Sequence, residues 1–157
     1  YRLSVLAGYR RSKAEVLARM EQRKQSKPQH KKQDDSYISL TELARNHSKN
    51  TPGYVIQSWL RSENTLAFLN LWEQENNPDY REAGYIELLE KKKTASFTLT
   101  PKLWIEKTKA IGIASKQGKG GGTFAHPMIG CEFASWISPE FKMLLLKLSL
   151  DRERLKA

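Results

Sequence analysis

Residues 115–127 read SKQGKGGGTFAHP. Two lysines and a glutamine lie among four glycines, with an aromatic, a histidine and a proline directly behind. Such a segment could cradle a nucleotide phosphate, act as a hinge, or form the tip of a hairpin that touches nucleic acid. The cradle fails on spacing. A P-loop needs GxxxxGK followed by Ser or Thr, so that a lysine and a hydroxyl meet the phosphates at a helix start. Here Lys119 is followed by Gly120, and no lysine precedes Thr123. The dinucleotide fingerprint GxGxxG is not kept by Gly118, Gly120 and Gly121 either.

The hairpin fits better. AIGIAS (110–115) and GTFAH (122–126) can pair as two short strands. The glycines between them supply the positive φ that a tight or bulged turn demands. Glycines at the tip, Gly120 and Gly121 among them, also let backbone amides approach phosphates without side-chain obstruction. Lys116 and Lys119 add charge, and Gln117 and Thr123 add hydrogen-bonding groups. A solvent-exposed turn with no partner is the plain alternative.

A second set of candidates lies upstream. Gln57, Ser58 and Arg61 face away from the apolar side of a helix expected at about 53–61, and Gln57 and Arg61 suit bidentate contacts to base edges. Lys49, Asn50 and Thr51 occupy the turn before it, where Lys49 suits a phosphate. His126 tempts an enzymatic reading, but neither His30 nor His47 shows ligand spacing with it or with Cys131. It reads as a cap or packing residue. No catalytic constellation, metal site or cofactor motif is expected. Cys131, the single cysteine, excludes an internal disulfide framework and a CxxC pair, and reads as a small core residue.

The elements that must position these groups follow from periodicity. Tyr37–Ser39 reads as a short strand, and a helix opens near Thr41 with Leu40, Leu43 and Ala44 on one face. Pro52 suits the first turn of the next helix, whose Val55, Ile56, Trp59 and Leu60 point inward. Two short helices joined by a turn make a helix-turn-helix pattern. A helix over about 64–76 carries Leu66, Phe68, Leu69 and Trp72. Residues 79–96 read equally as strand or helical turn, and Lys91–Lys93 as a solvated face. Thr100-Pro101 opens a helix over 101–110, which Gly112 is expected to close. PMIGCEFASWI (127–137) is a helix capped near His126. Ser138-Pro139 opens the last one, with Leu144, Leu145 and Leu148 expected inward. The four tryptophans, Trp59, Trp72, Trp104 and Trp136, all read as core.

Charge sorts the chain into two parts. The net charge of the 157 residues is +10. Residues 1–33 hold ten Lys/Arg against two Asp/Glu, while 34–157 hold seventeen against fifteen. The excess therefore sits in an N-terminal arm, 1–35, ahead of a domain at 36–157. In the arm, 12–25 reads as a helix with a narrow apolar face and 26–35 as a polar linker. A basic arm implies a polyanionic partner, either nucleic acid or an acidic membrane face, or a solvated tail. No apolar run reaches the ~18 residues that span a bilayer, so no membrane partner is expected.

Four blocks in order carry a resemblance: YISLTELAR (37–45), VIQSWLRSENTLAFLNLWEQENNP (55–78), SFTLTPKLWIEKTKAIGI (96–113) and GGGTFAHPMIGCEFASWISPEF (120–141). Together they resemble the KilA-N domain of phage, bacterial and large-DNA-virus proteins, a family regarded as DNA-binding and related to the fungal APSES domain. The resemblance covers about 36–150. It implies an α+β fold, mostly helical with a small antiparallel sheet and a winged helix-turn-helix-like core. It places 41–47 and 52–61 on the two helices and 115–123 on the wing. Tyr37, Leu43, Trp59, Leu60, Phe68, Phe133, Trp136 and Phe141 fall on its core pattern. Family members usually open with a β-hairpin before the YIS strand, whereas here a basic, helix-prone segment precedes it, and Glu42 stands where Asp is common.

The expectation is a non-enzymatic, double-stranded-DNA-binding domain of a regulatory protein, cytoplasmic in a bacterial or phage-infected cell. A homodimer or a protein partner would be engaged through the flanking regions. The rival is a protein-interaction module of a phage or host-conflict protein, which the near-balanced charge of 34–157 favours.

Overall fold

The computed structural model describes residues 36–156, so the expectations for the 1–35 arm lie outside the described residues. Strand β1 (Ile38–Ser39) leads into α1 (Leu40–His47), α2 (Pro52–Leu60), α3 (Glu63–Asn76), α4 (Glu82–Lys91) and α5 (Pro101–Thr108). The hairpin β2 (Ile113–Lys116) and β3 (Gly122–Ala125) follows, then α6 (Pro127–Ile137) and α7 (Pro139–Leu155). The fold is α+β, largely helical around one three-stranded antiparallel sheet of order β1-β3-β2. Residues 36–145 belong to one compact unit, which holds the core and the sheet, and 146–156 are assigned to a second.

The helix starts have local causes. Ser39 caps α1 by accepting the Glu42 amide, Thr100 caps α5 by accepting that of Leu103, and His126 caps α6 by accepting that of Met128. Each satisfies an amide the helix itself leaves unpaired. Pro52, Pro101 and Pro127 occupy first-turn positions, where a missing N–H costs nothing. Residues 82–91, open between strand and helix in sequence, form a helix with Gly84 and Leu88 buried.

The core gathers Leu40, Val55, Ile56, Trp59, Leu60, Leu66, Leu69, Trp72, Leu88, Trp104, Ile113, Ile129 and Phe133. Burying a large apolar side chain contributes roughly 1.5–3 kcal/mol, so this cluster sets the fold. Trp59 packs edge-on against Phe133 with ring centroids 5.0 Å apart, and its indole N–H donates to the Glu132 carboxylate at 2.5 Å. The α2 backbone is thereby fixed from beneath by α6.

Three sequence expectations are corrected. Gly112 does not close α5. Lys109 does, in the left-handed region at φ 54°, and its carbonyl is held by the Asn77 amide at 2.8 Å. Trp136 is 44% exposed, stacked on Phe133 rather than enclosed. The last helix has no buried residue: Leu144 and Leu148 are more than half exposed and Leu145 is half-buried.

Candidate nucleic-acid interface

The two groups of expected site residues sit on different elements that share a support. Helix α2 packs on α1, and so does strand β3. Lys49, Asn50 and Thr51 lie exposed in the α1–α2 turn. Thr51 is the N-cap position of α2 but its side chain makes no cap bond, and the Asn50 amide donates to Ser48 Oγ at 3.2 Å. Along α2, Gln57 and Ser58 are half-buried and Arg61 is exposed at the C-cap. The Ser58 hydroxyl is spent on the Tyr54 carbonyl at 2.9 Å.

Sequence reasoning missed two participants here. Tyr54 is 51% exposed, and the Arg61 guanidinium lies 5.8 Å over its ring. Their separation of seven places them on one face with Gln57 and Ser58, a spacing legible in the sequence. The second is Lys92. Its ammonium donates to the Arg61 carbonyl, securing the C-terminal end of α2. Burial pushes its pKa down, and the nearby Glu63 charge opposes that. Within the lysine triplet only spatial proximity distinguishes it from Lys91 and Lys93, which pair with Glu87 and Glu90.

The hairpin carries the other group. Lys116, Gln117, Lys119 and Gly120 are exposed, Gly121 is half-buried and Thr123 is buried. Lys116 Nζ lies 5.3 Å over the Phe124 ring. The turn closes by a Gly121 amide to Gly118 carbonyl bond of 2.9 Å, with Gly118 at φ 87° and Gly120 at φ 75°. Those angles are open to glycine and costly for other residues. The Thr123 amide is taken by Thr41 Oγ1 at 3.0 Å, so Thr123 anchors the hairpin to α1 instead of facing outward.

The base of the hairpin is clamped by side chains. Glu73, buried on α3, accepts the Gly112 amide at 2.7 Å and the Ile111 amide at 3.0 Å. Asn77 donates to the same carboxylate at 2.9 Å. Tyr37 donates its hydroxyl to the Ile111 carbonyl at 2.7 Å, and the His126 amide bonds the Gly112 carbonyl at 2.9 Å. Burial raises the Glu73 pKa, and the bonds from Gly112, Asn77 and Ile111 pull it back. Burial with the Glu73 charge close by also raises the Tyr80 phenol. The carboxylate thus serves as an acceptor for backbone that would otherwise be unpaired.

Comparison with known proteins places the chain in a family. The KilA-N domain model matches residues 21–152, and the chain belongs to the KilA-N domain family. It is also similar to the protein kilA of Escherichia phage P1, 46% identical over 39 residues. That match covers 25% of this chain and 15% of the phage protein. No solved structure matches the chain significantly. Among the described residues, no helix is long and apolar enough to cross a membrane.

Proposed function

We propose that this chain is a non-enzymatic domain that binds double-stranded DNA, within a regulatory protein of phage or bacterial origin acting in the cytoplasm. KilA-N domains are generally DNA-binding domains of phage and bacterial proteins. In this reading α2 enters the major groove. Its outward row of Tyr54, Gln57, Ser58 and Arg61 meets bases and sugar edges, and Lys49, Asn50 and Thr51 meet a phosphate at its start. The hairpin tip, with Lys116, Gln117, Lys119, Gly120 and Gly121, grips the neighbouring backbone or minor groove as a wing. Thr123 serves by holding that wing on α1. The basic 1–35 arm adds affinity that does not depend on sequence.

The observation that carries this reading is the common support: a short helix with an apolar inner face and a polar outer row, and an exposed lysine-glycine tip, both packed on α1. Titration of duplex DNA, single-stranded DNA and RNA at several salt concentrations, with and without residues 1–35, tests it. Duplex preference with a steep salt dependence that the domain retains without the arm supports the reading. Equal affinity for all three, or binding lost entirely with the arm, would remove it.

The second reading is a protein-interaction module. It is favoured by the apolar residues that α7 leaves exposed, Met143, Leu144, Leu146, Leu148 and Leu150. A homodimer or another protein would cover them.

A further inference from the structure

Beside the hairpin tip lies a cleft that neither the helix-turn-helix nor the wing lysines account for. It is lined by Ser39, Glu42 and Arg45 from the start of α1, and by Gly120, Gly121 and Phe124 from the hairpin. The sequence Ser39-x-x-Glu42 has the form of a capping box, in which the glutamate would reach back to the cap residue's amide. Half of that box forms, since Ser39 Oγ accepts the Glu42 amide at 3.1 Å. The Glu42 carboxylate turns instead to the Arg45 guanidinium. Both side chains stay more than half exposed, at 59% and 58%.

Two features give this cleft anion chemistry. Arg45 offers five N–H donors, and a single carboxylate engages at most two of them in a fork. The peptide amide of Gly120, which lines the cleft, donates to nothing else among the described residues. Gly120 sits at φ 75° in the turn that the Gly121 amide closes on the Gly118 carbonyl. That amide is therefore open to an incoming acceptor oxygen. Among the described residues Glu42 is the only acid lining the cleft, and it draws on the guanidinium a phosphate would use.

We propose that the α1–hairpin cleft is a phosphodiester seat for duplex DNA, in which Arg45 and the Gly120 amide hold the phosphate and Glu42 competes for Arg45. This rests on the DNA-binding reading and adds a contact to it. Glu42 thereby limits non-specific affinity: a phosphate must share the guanidinium with the internal carboxylate or displace it. Because α1 supports both α2 and the hairpin, a phosphate held here fixes the register of both.

The test compares the full chain with Glu42→Gln and Arg45→Ala on a duplex at several salt concentrations. Glutamine keeps the Ser39 cap, whose partner is a backbone amide, and thermal melts check folding. Glu42→Gln is expected to bind about two- to fivefold tighter at about 0.1 M salt, the range set by one exposed charge pair. Arg45→Ala is expected to weaken binding and lower the slope of log affinity against log salt by about one. Duplex addition is expected to shift the Gly120 amide resonance, and millimolar inorganic phosphate alone to leave it in place. If the folded variants bind as the parent chain does, the seat is wrong while the DNA reading stands. A Gly120 response to free phosphate equal to that with duplex also overturns it. If the parent chain retains no duplex at any salt, the DNA reading and the seat fall together.

Discussion

Thr41 Oγ1 accepts the Thr123 amide at 3.0 Å and stands 2.7 Å from where a Cβ on Gly122 would be. One side chain therefore both ties the hairpin to α1 and requires the adjoining residue to lack a side chain. Gly122 also sits at φ 144°, outside the range other residues adopt readily. Gly122→Ala is expected to destabilise the fold by about 1–3 kcal/mol, read as a lower urea midpoint. Thr41→Val, which leaves the Thr123 amide without its acceptor, should cost about 1–2 kcal/mol. A Thr41→Val variant as stable as the parent would mean the hairpin does not rest on Thr41.

The clamp at Glu73 gives a pH signature. Its folded-state pKa is raised by burial, with the Gly112, Asn77 and Ile111 bonds opposing. Folding therefore takes up a proton in the interval above the ordinary carboxylate value. From this group alone, stability is greatest below the unfolded-state value and falls as pH rises through the folded one. Glu73→Gln should flatten that part of the stability–pH curve. It should also lower stability at neutral pH by about 1–3 kcal/mol, because an amide donor then replaces the oxygen that accepts from Asn77 Nδ2. Urea midpoints across the acid-to-neutral range check both. Glu132 adds a slope of the same sign, its pKa raised by burial against the opposing Trp59 bond and the Lys142 charge, so the difference between variants is the quantity to compare.

Two buried tryptophans separate packing from hydrogen bonding. Trp59 donates to Glu132 at 2.5 Å, whereas Trp104 Nε1 has no partner among the described residues. Both are fully buried. Replacement by phenylalanine removes similar volume at each site but strips a half-buried carboxylate of its donor only at Trp59. Trp59→Phe should cost about 1–3 kcal/mol more than Trp104→Phe, measured by chemical denaturation. Equal losses would mean that the Trp59–Glu132 bond adds nothing beyond packing.

On the outer row of α2, Arg61→Ala should reduce affinity for a preferred duplex by about 1–3 kcal/mol and relax sequence preference, as loss of a base-edge contact does. Competition binding against a panel of duplexes reads this. A loss uniform across sequences would reassign Arg61 to the phosphate backbone.

Much of the frame was legible because its signals are local. The strand at 38–39, the two short helices after it, the proline-opened helices and the hairpin each follow from caps, proline positions or apolar spacing within a few residues. The inward set Val55, Ile56, Trp59 and Leu60 is buried as its spacing implies. What escaped depends on distant partners. Glu73 looks like any solvated acid on an amphipathic helix until the Ile111 and Gly112 amides, 38 and 39 residues away, are placed against it. Lys109 takes the left-handed cap expected near Gly112 because Asn77 holds its carbonyl. In α7, Leu144–Leu146 are consecutive and so occupy every side of the helix, and no stripe marks an inner face. For the site, residue types pointed to Gln57, Arg61 and the lysines, but nothing in the types revealed that Thr123 is an anchor or that Glu42 is turned toward Arg45.

The central claim is that the glycine-tipped hairpin grips DNA beside α2. Charge reversal at its two exposed lysines, Lys116→Glu with Lys119→Glu, measured by duplex titration at about 0.1 M salt, tests it most directly. The account predicts a large loss of affinity and a salt slope shallower by about two. A folded double variant that binds duplex as tightly as the parent chain would contradict it.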